Sequence, residues 1–331
     1  APDVDYLIVG SVQRQGETLR INVQLIEAAV QRAVWGERYS GRIDDVFDLQ
    51  DALTAAVIAA LKVQIAPSER AYLASRPTAS VAAYDEYLRG FEEHGRRNEA
   101  DNLSARRHFE RAIELDPTFA RAYAGLALTY SREAIDGWTP TPERSLEVAA
   151  EQAERAETMN PSLPQVHFVT GQVALFRRQH ARAIEAAERA IAADPSYADA
   201  YALLAWTLSY AGRPGKALAA LDRAMRLNPT PPASYLEILG EIRFVQGRYD
   251  DAAATFQRVL GVNPGYLRAR MWNAAALDWA GHRDLAGWEA VELLVASPGL
   301  SLARLDFAFP FRDPRMHDRL LEALRAAGLP K

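Results

Sequence analysis

"RAIELDP" (Arg111–Pro117) returns as "RAIAADP" (Arg189–Pro195) and again as "RAMRLNP" (Arg223–Pro229). A catalytic motif is needed once, so a phrase that recurs at a fixed interval reports a repeated structural unit. Prolines preceded by Asp, Asn or Ser stand at Pro117, Pro161, Pro195, Pro229, Pro264 and Pro298, with gaps of 44, 34, 34, 35 and 34 residues. The long gap holds "IDGWTPTPER" (Ile135–Arg144), which reads as an enlarged loop. Within the phrase each residue type has a task. Ala112, Ala190 and Ala224 are small where a helix must approach its neighbour closely. The Asp or Asn that follows ends the helix, and Pro blocks its continuation because it lacks an N–H and its ring collides with the preceding turn.

Between the prolines the apolar residues fall at helical spacing. Tyr201, Leu204, Ala205 and Leu208 form one face, and Ala217, Leu221 and Ala224 a second. The next unit repeats this with Leu236, Leu239 and Gly240, then Ala252, Phe256 and Val259. An earlier unit does so with Tyr123, Leu126, Ala127 and Tyr130, then Ala149, Ala153 and Ala156. Small residues permit close helix approach and large ones fill the holes between neighbouring pairs. This helix–turn–helix period of 34 resembles the tetratricopeptide repeat family. The resemblance covers Val81 to Pro298 as six repeats. The first helix of the first repeat (Val81–Arg97) is degenerate, and the last repeat carries Arg270 and Asn273 where large apolar residues are usual. Stacked repeats need their end faces capped. "DPRMHDRLLEALRAAGL" (Asp313–Leu329) has Met316, Leu320, Leu321, Leu324 and Ala327 on one face and reads as a carboxyl-terminal cap helix.

The amino-terminal segment follows another period. In "LRINVQLIEA", Leu19, Ile21, Val23 and Leu25 alternate with Arg20, Asn22 and Gln24. With "YLIVGSVQ" before it and "RQGET" between, this reads as a β-hairpin. "AVWGERYS" (Ala33–Ser40) reads as a third strand. Asp44 and Asp45 are cap candidates for a helix carrying Val46, Leu49, Leu53, Val57 and Leu61, ended before Pro67. "SERAYLASR" (Ser68–Arg76) reads as a short connecting helix. The stretches "YLIVGSVQRQGETLRINVQLIEA" and "VWGERYSGRIDDVFDLQDAL" resemble the second half of the TolB amino-terminal-like domain. The domain's first half has no counterpart here.

The expected class is therefore mostly α: an α-α superhelix of about six helix pairs with a cap helix, preceded by a small α/β segment. The expected boundaries are 1–66 for the partial TolB-like domain, 67–80 for a linker helix, 81–298 for the repeats and 299–331 for the capping segment. The combination resembles the carboxyl-terminal region of large bacterial signalling proteins. That resemblance implies an amino-terminal output domain outside these residues, commonly a class III adenylate or guanylate cyclase, in other cases a winged-helix DNA-binding domain or a TIR domain. The chain starts at Ala1 and is expected to be a piece of something longer.

The 331 residues are 49% hydrophobic, with a formal charge of −5 and no cysteine. Disulfides and thiolate metal sites are excluded, and the mild acidity argues against a nucleic-acid footprint. No uncharged apolar run approaches the ~18 residues of a membrane span. The expected compartment is the cytoplasm, or the periplasm if a span lies upstream. No HExxH, GxSxG or phosphate loop is present; "GRPGKAL" (Gly212–Leu218) lacks the required spacing and falls in a turn. His94, His108, His167, His180, His282 and His317 form no ligand set in sequence and read as surface or helix-terminal residues. Expected catalytic, cofactor and metal sites are accordingly none.

In the tetratricopeptide family the first helix of each pair lines a concave groove. The family pattern places Phe168, Gln172 and Phe176, then Trp206 and Tyr210, then Glu237, Glu241 and Phe244, then Met271 and Trp279 along it. The groove is expected to be aromatic with an acidic middle; Arg121, Arg132 and Arg268 read as scattered basic residues. The expected occupant is an apolar or basic-amphipathic peptide, from a protein partner or from the same polypeptide. An incomplete α/β domain leaves a strand edge, which predicts a homodimer through Tyr6–Ala28. The leading reading is a non-catalytic regulatory and interaction module of a signalling protein. The alternatives are a free-standing adaptor and the regulatory region of a winged-helix regulator.

Overall fold

The computed structural model describes residues 4–61 and 76–330. The chain divides into two compact units, one running through Tyr84 and the other from Asp85. The connecting helix expected over Ser68–Arg76 lies, all but Arg76, outside the described residues, as does the helix end expected before Pro67.

The first unit is an antiparallel sheet with the order β1 (Tyr6–Gln15), β2 (Thr18–Glu27), β3 (Arg32–Arg42), followed by helix α1 (Val46–Leu61). Gly16 takes the first central position of the two-residue β1–β2 turn at φ 61, where a side chain would be strained. The alternation in β2 sends Leu19, Val23 and Leu25 inward, and Phe47 of α1 is buried with them. Arg76 pairs with Asp48 and with Asp51 of α1, the latter at 2.9 Å. β1 is exposed along its whole length. Ile8 stands opposite Leu25 and Val12 opposite Ile21, yet they remain 55% and 67% exposed.

The repeat region consists of six helix pairs: α2 (Val81–Gly95) with α3 (Glu99–Leu115), α4 (Ala120–Ile135) with α5 (Pro142–Met159), and α6 (Pro164–Phe176) with α7 (His180–Ala193). Then come α8 (Ala198–Tyr210) with α9 (Pro214–Leu227), α10 (Ala233–Val245) with α11 (Tyr249–Val262), and α12 (Leu267–Trp279) with α13 (Arg283–Ala296). Ala112, Ala190 and Ala224 are fully buried, as the recurring phrase requires. Gly240 lets two helices touch: a Cβ there would stand 2.6 Å from the Phe256 ring, closer than real contacts allow.

The Asp or Asn of the phrase does more than end a helix. Its N–H donates to the carbonyl four residues back, as from Asp116 to Ala112 at 3.0 Å. Its side chain then accepts from the N–H beyond the proline: Thr118 to Asp116 at 2.9 Å, Ser196 to Asp194 at 2.8 Å, Gly265 to Asn263 at 3.2 Å. This side-chain turn fixes the direction of the next helix. Inside each pair the turn holds one residue at positive φ, namely Arg97, Gly137, Arg178, Gly212, Gly247 and Gly281 in order.

After α13 come the one-turn helix α14 (Leu302–Leu305), a 3-10 turn (Asp306–Ala308) and the cap helix α15 (Pro314–Ala327). Asp313 caps α15 by accepting from the Arg315 N–H, and Gly328 closes it at φ 116. Leu320, Leu324 and Ala327 are buried against α12 and α13. The stretch between α13 and α15 is not merely terminal. Leu305, Ala308, Phe309 and Phe311 are each under 5% exposed, and they lie along the concave face of the array.

Candidate functional site

The concave face is organised by Arg268, which protrudes from the first turn of α12 and is 1% exposed. Glu237 and Glu241 sit one turn apart on α10, so both carboxylates face it. Arg268 Nε lies 2.8 Å from Glu237, and Nη2 lies 3.0 Å from Glu241. Nη2 also donates to the Tyr210 hydroxyl at 2.5 Å, and Nη1 to the main-chain carbonyl of Ala308 at 2.8 Å. Trp206 Nε1 donates to the second oxygen of Glu241 at 2.8 Å. The rings of Phe176, Trp206 and Phe309 surround the guanidinium at 5.4–5.8 Å, in cation–π range. Burial works against the Arg268 charge, but Tyr210, Glu241 and Glu237 outweigh it and hold its pKa well above the ordinary value. Burial likewise pushes the Glu241 carboxyl up, more than Arg268 pulls it down.

The acidic middle expected from sequence is thus a neutralised one. Arg268 is its counter-ion and not a scattered basic residue, a correction that follows from contacts between helices far apart in sequence. Arg132 is also placed, 3.6 Å from Asp136 within the buried wall.

The ten residues assigned to the groove divide into groups. Phe176, Trp206 and Tyr210 form an aromatic wall with ring centroids 5.1 and 6.3 Å apart in sequence order, and Phe311 sits 4.9 Å from Tyr210. Glu237 and Glu241 bind Arg268 as described. Phe244 packs against Trp272 at 5.1 Å and Trp279 at 5.0 Å, between the last two pairs. Trp279 is half-buried beneath Arg319 of the cap helix. Gln172 and Met271 are buried, and Phe168 lies apart, edge-on to Tyr197 at 6.0 Å.

The residues absent from the sequence reading belong to the stretch that faces this wall. His180, at the start of α7, donates from Nε2 to the Pro310 carbonyl at 2.7 Å. The Arg312 N–H caps the end of α8 through the Tyr210 carbonyl at 3.0 Å. Phe309 meets Trp272 at 5.3 Å. The signal that could have revealed them is "LDFAFPF" (Leu305–Phe311), too apolar for an exposed tail. Burying each such aromatic contributes about 1.5–3 kcal/mol.

The other histidines have local roles. His108 contacts Glu86 at 2.6 Å and His282 contacts Asp250 at 2.9 Å. His94 contacts Asn102 at 3.3 Å, and burial pushes its imidazole down to about 3. Among the described residues no group of three or more His, Asp or Glu could hold a metal ion, and no helix is long and apolar enough to cross a membrane.

Antiparallel helix pairs of near-constant length, stacked so that first helices line the inside, define a helical-repeat protein. Residues 143–198 and 202–266 match a family model described as "Tetratricopeptide repeat". The chain is 33% identical over 165 residues, half its length, to a Rhizobium meliloti (strain 1021) protein named "Putative adenylate cyclase 3". It spans 28% of that relative's length. Among solved structures it is similar to a thermophilic TPR protein of Thermus thermophilus, at 22% identity and TM-score 0.47, covering 59% of this chain and 99% of the other. It is also similar to PilW, a type IV pilus biogenesis factor, at 20% identity and TM-score 0.46, covering 63% and 88%.

Proposed function

We propose that the chain is a non-catalytic interaction and regulatory module of a bacterial signalling protein whose output domain is a class III cyclase. Its concave face reads a peptide segment, and residues 305–312 occupy that face in the resting chain. The manner in which they are held carries this reading. Arg268 and His180 take main-chain carbonyls, while an aromatic wall takes Phe309 and Phe311. Main-chain hydrogen bonds for affinity with side-chain pockets for choice is the division of labour in peptide recognition. The similarity to a protein named as a cyclase supports the signalling context. The same proposal takes the sheet and α1 as the second half of a TolB-like domain, a reading supported by the sequence stretches from Tyr6 to Leu53.

A fluorescent peptide with the sequence of residues 302–312 tests the groove. It is expected to bind the Phe309→Ala chain, whose own segment is loosened, and to bind the parent chain at least about tenfold more weakly, since the intact segment competes at high effective concentration. Phe311→Leu, which keeps most of the apolar volume, serves as the milder second variant. Equal binding to parent and both variants, or none to any, rejects the proposal. The signalling context is tested by capturing the native polypeptide with an antibody against the repeats. A much larger polypeptide bearing a cyclase domain is expected. A polypeptide of this chain's own mass favours a free-standing adaptor, and one bearing a DNA-binding domain favours a winged-helix regulator.

A further inference from the structure

The inner side of the array is closed upon itself. Arg97, in the turn of the first helix pair, donates to the Tyr266 hydroxyl at the start of the sixth, and its guanidinium lies 3.8 Å from Glu237. The outer side differs at its carboxyl-terminal end. Positions in the second helices recur at fixed offsets from the turn residue. One buried position holds Ala183 in α7, Ala217 in α9, Ala252 in α11 and Ala286 in α13. The same offsets define an outward stripe. In α7, α9 and α11 it carries charged residues, Ala, Gly and Gln; α9, for example, has Lys216, Ala219, Asp222 and Arg226. In α13 it reads Leu285, Trp288, Val291 and Val295, all exposed, with Trp288 at 67% and Val295 at 74%. At spacings of three, three and four residues they fall within about a third of the helix circumference. The buried stripe of α13 is already covered by α12 and the cap helix α15, so this one is not the uncapped end of the stack. A contiguous run of large apolar side chains held in solvent marks an interaction site.

We propose that the outer face of α13 docks a basic amphipathic helix of a partner protein. Two carboxylates stand inside the stripe. Around the helix, Asp284 falls between Val291 and Val295, and Glu292 between Trp288 and Leu285. Both are exposed, and neither side chain has an ion pair or hydrogen bond among the described residues. Eight residues apart, they are separated by roughly 12 Å along the axis, a distance matched by cations two turns apart on a facing helix. Apolar residues of that helix at i, i+3 or i+4 and i+7 fit between Leu285, Trp288 and Val295. Trp288 is the anchor, because its large rigid ring offers contact area with few rotors to freeze. Charge argues against a second copy on this face. An antiparallel pairing centred on Trp288 sets Asp284 of each copy against Glu292 of the other, and a parallel pairing sets each carboxylate against its own kind. Like charges facing each other across an interface suppress that pairing, and a basic partner removes the conflict. This proposal does not depend on the reading of the peptide face.

The test uses the unmodified chain and two fluorescein-labelled helical peptides of about four turns, read by anisotropy. One peptide presents Leu on one face and Lys on the other; its twin carries Glu for every Lys. The Lys peptide is expected to bind, and the Glu twin to bind about tenfold or more weakly. Trp288→Ser is expected to weaken the Lys peptide by about tenfold or more. Its far-ultraviolet dichroism and urea midpoint should match the parent, because the ring it removes is exposed. Asp284→Asn with Glu292→Gln is expected to narrow the gap between the twins. Glu185→Gln with Glu188→Gln removes the same charge from the matching stripe of α7 and is expected to leave both affinities unchanged. Four outcomes overturn the proposal: equal binding of the twins, binding of the Lys peptide that survives Trp288→Ser, binding of neither peptide, or a concentration-dependent dimer that Trp288→Ser dissolves, which assigns the stripe to a second copy.

Discussion

Replacing Arg268 with Met is expected to lower the stability of the repeat region by about 3–5 kcal/mol, the cost of removing one partner from a buried ion pair. The Arg268 side chain is fully shielded from solvent, and Glu237 and Glu241 are 3% and 1% exposed as side chains, so neither carboxylate can turn to water when the guanidinium is lost. The Ala308 carbonyl and the Tyr210 hydroxyl lose their donor at the same time. A shifted urea midpoint with an unchanged slope reads the effect as stability and not as a change in compactness. Adding Glu237→Gln and Glu241→Gln is expected to restore much of the loss, because the penalty arises from stranded charge more than from lost attraction. A midpoint for Arg268→Met within about 1 kcal/mol of the parent would show that the ion pairs do not hold the face together.

Phe309→Ala is the second large effect, at about 3–5 kcal/mol. Phe309 is fully buried between Trp272, at 5.3 Å, and the Arg268 guanidinium, at 5.6 Å. Truncation leaves a hole bounded by a rigid indole and a fixed ion cluster, a site that cannot collapse to fill it. Amide exchange is expected to quicken in residues 302–312 and in α12, and to stay near parental values in α2 and α3. Val262→Ala, at a position 75% exposed, is the control and should fall within about 0.5 kcal/mol of the parent. Uniformly faster exchange throughout the array would mean that residues 302–312 are no separate latch.

Much of the repeat region is legible from one phrase. The interval of 34 and the small alanines require only contacts between consecutive helices, and such contacts leave a periodic trace. Ala112, Ala190 and Ala224 are fully buried as read. The hairpin, third strand and α1 were equally open to a period-two reading of Leu19 to Leu25 and a helical stripe from Val46 to Leu61. Arg268 was not legible, because its partners lie 27, 40 and 58 residues away and the repeat pattern assigns no ion pair to its position. Arg97 and Arg178 were hidden for a related reason. They occupy turn positions filled by Gly in the other four pairs, so the residue type gives no sign of the positive φ. The family pattern that gives the groove residues describes the array alone, whereas residues 302–312 come from outside it.

An open stack of repeats behaves as a modular spring: each unit feels only its neighbours, and units can be added, deleted or frayed from an end one at a time. The bond from Arg97 to Tyr266 joins positions 169 residues apart, and Arg268 ties the sixth pair to both the fifth and the trailing chain. Such a clasp fixes the number of coils. A repeat inserted or removed between the first and sixth pairs would carry Arg97 out of reach of Tyr266 and leave Glu237 without its outer counter-ion. The array has therefore given up the freedom to change length that repeat proteins ordinarily keep, and its copy number is part of its tertiary structure.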